Sequence, residues 1–195
     1  MLPSDHLSLA LGEPLMRPLP PAVAGLLREL DAPPRLAAHL RAVHDVAHQL
    51  LDWTDRHCPG LVVDREAVLF GAATHDIGKT VHTAELSGPG SCHEEAGRKL
   101  LLARGVRPEW ARFAATHASW TDPGVSAEDL LVSLADKVWK NKRVPELEDL
   151  VIARVLEAGG GERWEAYLAL DDILCLIGDG ADERLAFQAS FPVRA

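Results

Sequence analysis

The sequence predicts an all-α fold. Apolar residues recur at helical spacing over long stretches, and residues that start or stop helices border those stretches. We find no convincing alternation of apolar and polar residues of the kind that marks a half-buried strand, no internal repeat and no low-complexity tract. With 195 residues, 47% of them hydrophobic, the chain is long enough to form one domain whose core needs no disulfides.

The first long helix is predicted to follow a proline-rich beginning. Residues 1–34 show little periodicity apart from a short helix predicted at 23–30. Pro33 and the proline after it indicate a helix start, because proline is tolerated in a first turn. From Arg35 to about Arg56, apolar residues recur every three or four positions.

The later helices are bordered by recognisable signals. Asp64 is typical of an N-cap and Gly105 of a C-terminal stop, and Ser126 with Asp129 has the pattern of a capping box. We predict helices at 65–75, 92–104, 108–117 and 126–142, then two amphipathic segments that glycines 159–161 separate and that end near residue 188. The predicted division is an N-terminal extension (1–34), a core (35–145) and C-terminal helices (146–188) packed on the core in a single domain.

Charge and composition limit the classes of partner. A net charge of −9 argues against long nucleic acid but leaves room for a small phosphorylated substrate, which needs only a local cluster of cations. No apolar stretch approaches the length that spans a bilayer, and the N-terminus lacks the order of a secretory signal. Three scattered cysteines read as reduced thiols. We expect a cytoplasmic protein with no membrane partner; whether it forms a homodimer stays open.

The run Thr-His-Asp-Ile-Gly-Lys at 74–79 is the most informative motif. Adjacent side chains on a helix diverge by about 100°, so His75 and Asp76 can converge on one point only at a helix end. Gly78 indicates such an end. Two adjacent polar groups are costly to bury without a cation, which favours a metal site.

Four other residues could complete that site. His39 lies on the apolar face of the first long helix, although a single inward histidine is more often a hydrogen-bonded core residue. Asp136 follows Leu-Ala near the end of a predicted helix, and His93 and His117 stand at helix termini. Four histidines and two aspartates suffice for two divalent ions with open positions for water and substrate. Iron and manganese are favoured, with zinc, nickel and magnesium as alternatives.

The order His39, His75-Asp76, Asp136 resembles the HD superfamily of metal-dependent phosphohydrolases, and His93 and His117 match the extra histidines of its dinuclear members. The chain is most similar to the YqeK-like branch, which splits symmetrical diadenosine tetraphosphate. The likeness covers about residues 35–145. It implies an HD-domain helical bundle, here with extra C-terminal helices. The tail after Pro145 and the run at 134–143 are departures that bear on the substrate.

The resemblance also implies roles for the six residues. Asp76 would be the bridging carboxylate. One metal ion would be held by His39, His75 and Asp136, and the other by His93 and His117. Asp76 and its neighbour Lys79 are the catalytic candidates.

A cationic face is predicted to follow Asp136. Trp139, Lys140 and Arg143 lie three, four and seven residues after it, so on a continuous helix all of them share one face. Lys79, Lys140 and Arg143 could bind a substrate phosphate, and Trp139 could stack on a base. The alternative is that the cations complement a helix C-terminus and that the tryptophan packs.

Two further groups of polar residues leave alternatives. His82 and Glu94 could orient a ligand or donate a proton to a leaving group, and His82 is also a candidate for substrate binding; a surface histidine is the alternative. His44 and His48 have zinc-site spacing but point well away from the His39 face. We expect both to be solvated or to border a contact surface.

The predicted function is hydrolysis of a nucleotide or other small phosphoester by metal-activated water. Two alternatives remain at this stage. One is a mixed-valence di-iron oxygenase built on the HD scaffold, and the other is a non-catalytic ligand-sensing module that keeps its metals for structure.

Overall fold

The structure is a computed structural model that describes residues 3–159 and 161–193, with side chains from Asp5 onward. The chain is 69% helical and has no strand among its described residues, which confirms the all-α prediction. The α-helices are α1 (Pro3–Gly12), α2 (Pro21–Glu29), α3 (Pro34–His57), α4 (Arg65–Thr74), α5 (Cys92–Ala103), α6 (Pro108–Ala111), α7 (Phe113–Thr116), α8 (Ala127–Val138), α9 (Pro145–Glu157), α10 (Arg163–Asp179) and α11 (Ala181–Ala189). Two short 3-10 helices, η1 (Ile77–Thr80) and η2 (Thr83–Leu86), lie between α4 and α5.

Helix α3 is the centre of the fold. It packs against α1, α4, α8, α10 and α11, and Leu40, Val43 and Leu50 on it are fully buried. Pro34 occupies its first turn, where the missing N–H of proline costs no hydrogen bond. His39 therefore lies on a helix that is packed against five others.

The two helices that face α3 at the site begin at the predicted caps. Asp64 accepts a hydrogen bond from the backbone N–H of Ala67 (3.0 Å) at the start of α4. Ser126 and Asp129 form a complete capping box at the start of α8. These caps satisfy backbone N–H groups that have no partner inside the helix.

The N-terminal segment contains a helix that the sequence did not reveal. Arg41 on α3 is 1% exposed and donates hydrogen bonds to the carbonyls of Ala10 (2.7 Å), Glu13 (2.5 Å) and Met16 (2.6 Å). This guanidinium satisfies carbonyls at the end of α1 and just beyond it. It joins the N-terminal segment to the core.

The C-terminal segment forms three helices rather than the predicted two, because the chain turns at Gly180 between α10 and α11. Arg184 on α11 donates from Nε to the carbonyl of Trp139 (2.7 Å), and Arg35 on α3 donates to the carbonyl of Phe191 (2.9 Å). α11 thereby lies beside α3 and the end of α8. The division at residues 34 and 145 stays a prediction. Within the described residues, no helix has the length and apolar character needed to cross a membrane.

Candidate metal centre

The His-Asp pair lies at the end of α4, where the sequence placed it. His75 is the C-cap of α4, and Asp76 adopts φ −100° and ψ 9° before η1 begins. This break in the helix lets the two neighbouring side chains turn towards one point, with His75 Nε2 3.7 Å from Asp76 Oδ2. Both residues are buried.

The first ligand group consists of His39, His75 and Asp136, from α3, α4 and α8. The Nε2 atoms of His39 and His75 are 3.2 Å apart, and Asp136 Oδ1 lies 3.7 Å from the first and 3.3 Å from the second. Metal–ligand bonds of about 2.1 Å place neighbouring ligands about 3.0–3.4 Å apart in octahedral or tetrahedral geometry. Two of the three observed separations lie in this range and the third, between His39 Nε2 and Asp136 Oδ1, is 0.3 Å longer, so the three residues could hold one ion.

The second ligand group consists of Asp76, His93 and His117. Asp76 Oδ1 lies 3.1 Å from His93 Nε2 and 3.7 Å from His117 Nε2. The other oxygen of Asp76, Oδ2, lies 3.2 Å from His39 Nε2. Asp76 thus presents one oxygen to each group, which is the arrangement of a carboxylate that bridges two ions.

Gly78 brings the two groups together. A Cβ built at this position would lie 1.9 Å from the carbonyl oxygen of His93 and 2.6 Å from the backbone nitrogen of Gly97. Only a glycine allows η1 to contact the first turns of α5 this closely. The contact sets the position of His93 relative to Asp76.

Most of the imidazoles are oriented by hydrogen bonds from their other ring nitrogen. Nδ1 of His75 and of His117 lies 2.9 Å and 3.1 Å from the backbone carbonyls of Ala72 and Ala114. These carbonyls can only accept, so each Nδ1 donates, and in the neutral rings the Nε2 lone pairs point into the cluster. His93 Nε2 has no hydrogen-bond partner among the described residues. Converging lone pairs and carboxylates at buried positions fit bound cations.

Burial and neighbouring charges act in opposite directions on the pKa values of the candidate ligands. Burial lowers the pKa of His39 and brings that of His117 to about 4. Burial acts in the same direction on His75, but the carboxylates of Asp76 and Asp136 outweigh it and raise that pKa. Burial would raise the pKa of Asp76, but the surrounding imidazoles of His75, His39 and His93 hold it well below its usual range. The site therefore keeps its carboxylates ionised, and the lowered pKa values of His39 and His117 favour neutral imidazoles, the form that binds a cation.

A cleft with a volume of about 470 Å³ opens onto both groups. Asp76 and Asp136 lie on its floor, and each accepts a hydrogen bond of 2.6 Å from a lysine, Lys79 and Lys137 respectively. Four cationic side chains line it in all, and so do several apolar ones. The cationic residues are Arg35, Lys79, Lys137 and Lys140, and the apolar ones include Leu36, Leu86, Trp139 and Leu185.

Three of the five predicted substrate-binding residues, Lys79, Trp139 and Lys140, line this cleft. Trp139 is 3% exposed and packs edge-on against His39, with ring centroids 4.9 Å apart. Its ring is largely inaccessible, so the contact with His39 fits packing better than stacking on a base. Glu94 also lines the cleft, and burial raises the pKa of its carboxyl.

The prediction that Arg143 shares a helical face with Asp136 was wrong. Helix α8 ends at Val138, four residues before the predicted end, and Asn141 has a left-handed φ of 57°. The chain therefore leaves the helical face before residue 143. Arg143 instead donates to both oxygens of Glu148 (3.0 and 2.7 Å) and to Asp171 (2.8 Å).

The structure contradicts the expectation for His44, and substrate binding by His82 stays a prediction. His82 precedes η2 and lies outside the described lining of the cleft. His44, expected to be solvated or at a contact surface, is 3% exposed and packs edge-on against His48 with centroids 4.7 Å apart. Neither histidine belongs to the ligand groups found among the described residues.

Several residues at the site escaped the sequence reasoning. Arg35 and Lys137 line the cleft, as do Leu185 and Gln188 from α11. Because Lys137 adjoins Asp136 in the sequence, its position at the site could have been predicted. The residues of α11 gave no signal, since only the folded chain brings them to the cleft.

The family comparison agrees with this geometry. A model of the HD domain matches residues 36–139, more than half of the chain. The chain belongs to the HD domain family. HD domains form a superfamily of metal-dependent hydrolases that bind divalent metals, and some members are not catalytic. All six candidate ligands lie within the matched residues. No curated protein and no solved structure matches the chain significantly.

Proposed function

We propose that this HD domain protein is a phosphohydrolase that uses two divalent ions to hydrolyse a nucleotide or other small phosphoester. The observation that carries the proposal is Asp76, which offers one oxygen to each of two buried ligand groups at the floor of a cationic cleft. His39, His75 and Asp136 would hold one ion, and His93 and His117 the other. Iron and manganese remain the favoured metals.

The bound ions would supply Lewis acidity and lower the pKa of a coordinated water towards neutrality. The residues of the chain have separate tasks. Lys137 neutralises Asp136 Oδ2, the oxygen of that carboxylate that is not directed at the first group, and Lys79 donates to Asp76 Oδ2 beside the same group. Both ammonium groups line the cleft. Lys140 and Arg35 add positive charge along its wall, which favours an anionic phosphoryl group. No serine or cysteine nucleophile is needed.

The size of the cleft and the family resemblance both bear on the substrate class. The cleft volume of about 470 Å³ suits a small phosphoester such as a nucleotide. Within that class, the resemblance to the YqeK-like branch favours a dinucleoside polyphosphate. Residues outside the family match, Leu185 and Gln188, also line the cleft. These two residues are candidates for giving this protein a substrate specificity different from that of the YqeK-like branch.

The test is phosphate release from a panel of nucleotides and dinucleoside polyphosphates, with protein reconstituted with manganese or iron. Asp76→Ala should lose activity. Asp45→Ala is the matched control, because His44-Asp45 repeats the dipeptide in the middle of α3, outside the ligand groups. Activity that survives Asp76→Ala would refute the assignment. Two bound ions without phosphate release would favour a sensing module, and dioxygen consumption would favour an oxygenase.

A further inference from the structure

The segment between the His-Asp pair and α5 contributes a contact that orients a ligand of the second group. Glu85 lies on η2, and its side chain is 10% exposed. Its Oε2 accepts a hydrogen bond from Nδ1 of His93 (2.5 Å) and another from the backbone N–H of His93 (3.1 Å), while Oε1 accepts from the backbone N–H of Cys92 (3.1 Å). One carboxylate therefore holds both the imidazole and the first turn of α5.

This contact differs in kind from those of the neighbouring ligands. Nδ1 of His75 and of His117 donates to a carbonyl three residues earlier in the same segment, so the local backbone fixes each ring. The ring of His93 is held by a charged group from a separate segment. A carboxylate partner also makes an imidazole a stronger ligand than a carbonyl partner does.

Gly90 makes room for this carboxylate. Its φ of +153° is a conformation that residues with side chains rarely adopt, and a Cβ there would lie 2.4 Å from Oε1 of Glu85. The backbone of the loop before α5 therefore lies directly against the carboxylate that holds His93. A side chain at position 90 would displace Glu85.

We propose that Glu85 is the positioning residue for the second ion. By accepting a hydrogen bond from Nδ1 of His93, it directs Nε2 of that ring towards Asp76 Oδ1, which lies 3.1 Å away. The affinity for the second ion then depends on Glu85, and the affinity for the first does not, because Glu85 has no hydrogen bond or ion pair with His39, His75 or Asp136 in the described structure. This inference rests on the proposed function, since it requires that the two groups hold ions.

The experiment is a Mn²⁺ binding titration of the full chain and of Glu85→Gln. The glutamine retains an oxygen that can accept a backbone N–H, but it lacks the negative charge. We expect two ions on the wild type. In the variant, the first ion should bind within about twofold of the wild-type affinity and the second about 10- to 100-fold more weakly. Glu95→Gln is the matched control, because Glu95 lies on α5 near His93 but pairs with Arg98 at the surface.

Two further measurements separate positioning from a general loss of structure. Nitrogen-15 NMR of the metal-free protein should show the Nδ1–H tautomer of neutral His93 in the wild type and a mixture of tautomers in Glu85→Gln. Gly90→Ala should reproduce the weakened second ion, whereas Gly88→Ala, whose added Cβ has its nearest neighbour 3.3 Å away, should not.

The outcomes distinguish this proposal from the function on which it rests. Two ions bound with wild-type affinity in both Glu85→Gln and Gly90→Ala would overturn the role of Glu85 and leave the proposed function intact. A wild-type chain that binds no ion would overturn the proposed function itself. Equal weakening of both ions would also contradict the proposal, because Glu85 would then support the whole site.

Discussion

Replacing Gly78 by alanine should separate the two ligand groups. The added Cβ would lie 1.9 Å from the carbonyl oxygen of His93, whereas ordinary contact begins at 3.4 Å. Because the obstructing atoms are backbone, α5 must recede by about 1.5 Å to restore ordinary contact. His93 would move with it, away from Asp76 Oδ1. We expect a loss of about 1–3 kcal/mol in the free energy of unfolding, as overpacking of a tight contact typically costs.

The assay combines urea unfolding with a count of bound Mn²⁺ per chain. Gly78→Ala should lower the unfolding midpoint and release the second ion before the first. Gly25→Ala is the control, because its added Cβ meets no atom within 4 Å and lies inside α2. That change should leave metal binding intact and raise stability by about 0.5–1 kcal/mol. A Gly78→Ala protein with unchanged stability and two ions would refute the reasoning.

Three further predictions concern charge. Burial lowers the pKa of His44 to about 3, against about 6.5 in the unfolded chain, so the unfolded state takes up this proton first as pH falls. The contribution of neutral His44 to the free energy of unfolding is therefore complete above pH 6.5, and below that pH it declines by up to about 1.4 kcal/mol per pH unit. His44→Leu should flatten the dependence of the urea midpoint on pH between 6 and 4. An unchanged slope would contradict the assignment. Lys140→Ala should raise KM for an anionic substrate about two- to fivefold with little change in kcat, whereas an unchanged KM would remove Lys140 from the binding surface. Arg143→Ala should leave KM unaltered but lower unfolding stability by about 1–3 kcal/mol, because Glu148 loses its partner; a raised KM would restore Arg143 to the site.

The convergence of the six candidate ligands could be predicted from the sequence because each lay in a readable context. His75 and Asp76 preceded a glycine at a helix end, and His39 followed the periodicity of the apolar face of α3. Their residue types also limited the chemistry to cation binding. The structure brings all six together. Their function as metal ligands stays a prediction.

Other features depended on tertiary contacts that a pattern does not contain. No sequence pattern indicated a role for Arg41, yet its hydrogen bonds anchor the N-terminal segment. Arg143 was misplaced because the end of α8 has no glycine or proline, and the left-handed residue there is Asn141. Glu85 lies on a short 3-10 helix, where no periodicity indicates the direction of its side chain. Its part in the site emerged only from the contact with His93.

The most direct test of the central claim is electron paramagnetic resonance of the wild-type protein loaded with Mn²⁺, together with the count of bound ions. If Asp76 bridges two sites, two ions bind per chain and their spectra show exchange coupling. Asp76→Ala should abolish the coupled signal, and Asp45→Ala should retain it. A single bound ion, or two ions without coupling in the wild type, would contradict the assignment of Asp76 as the shared ligand.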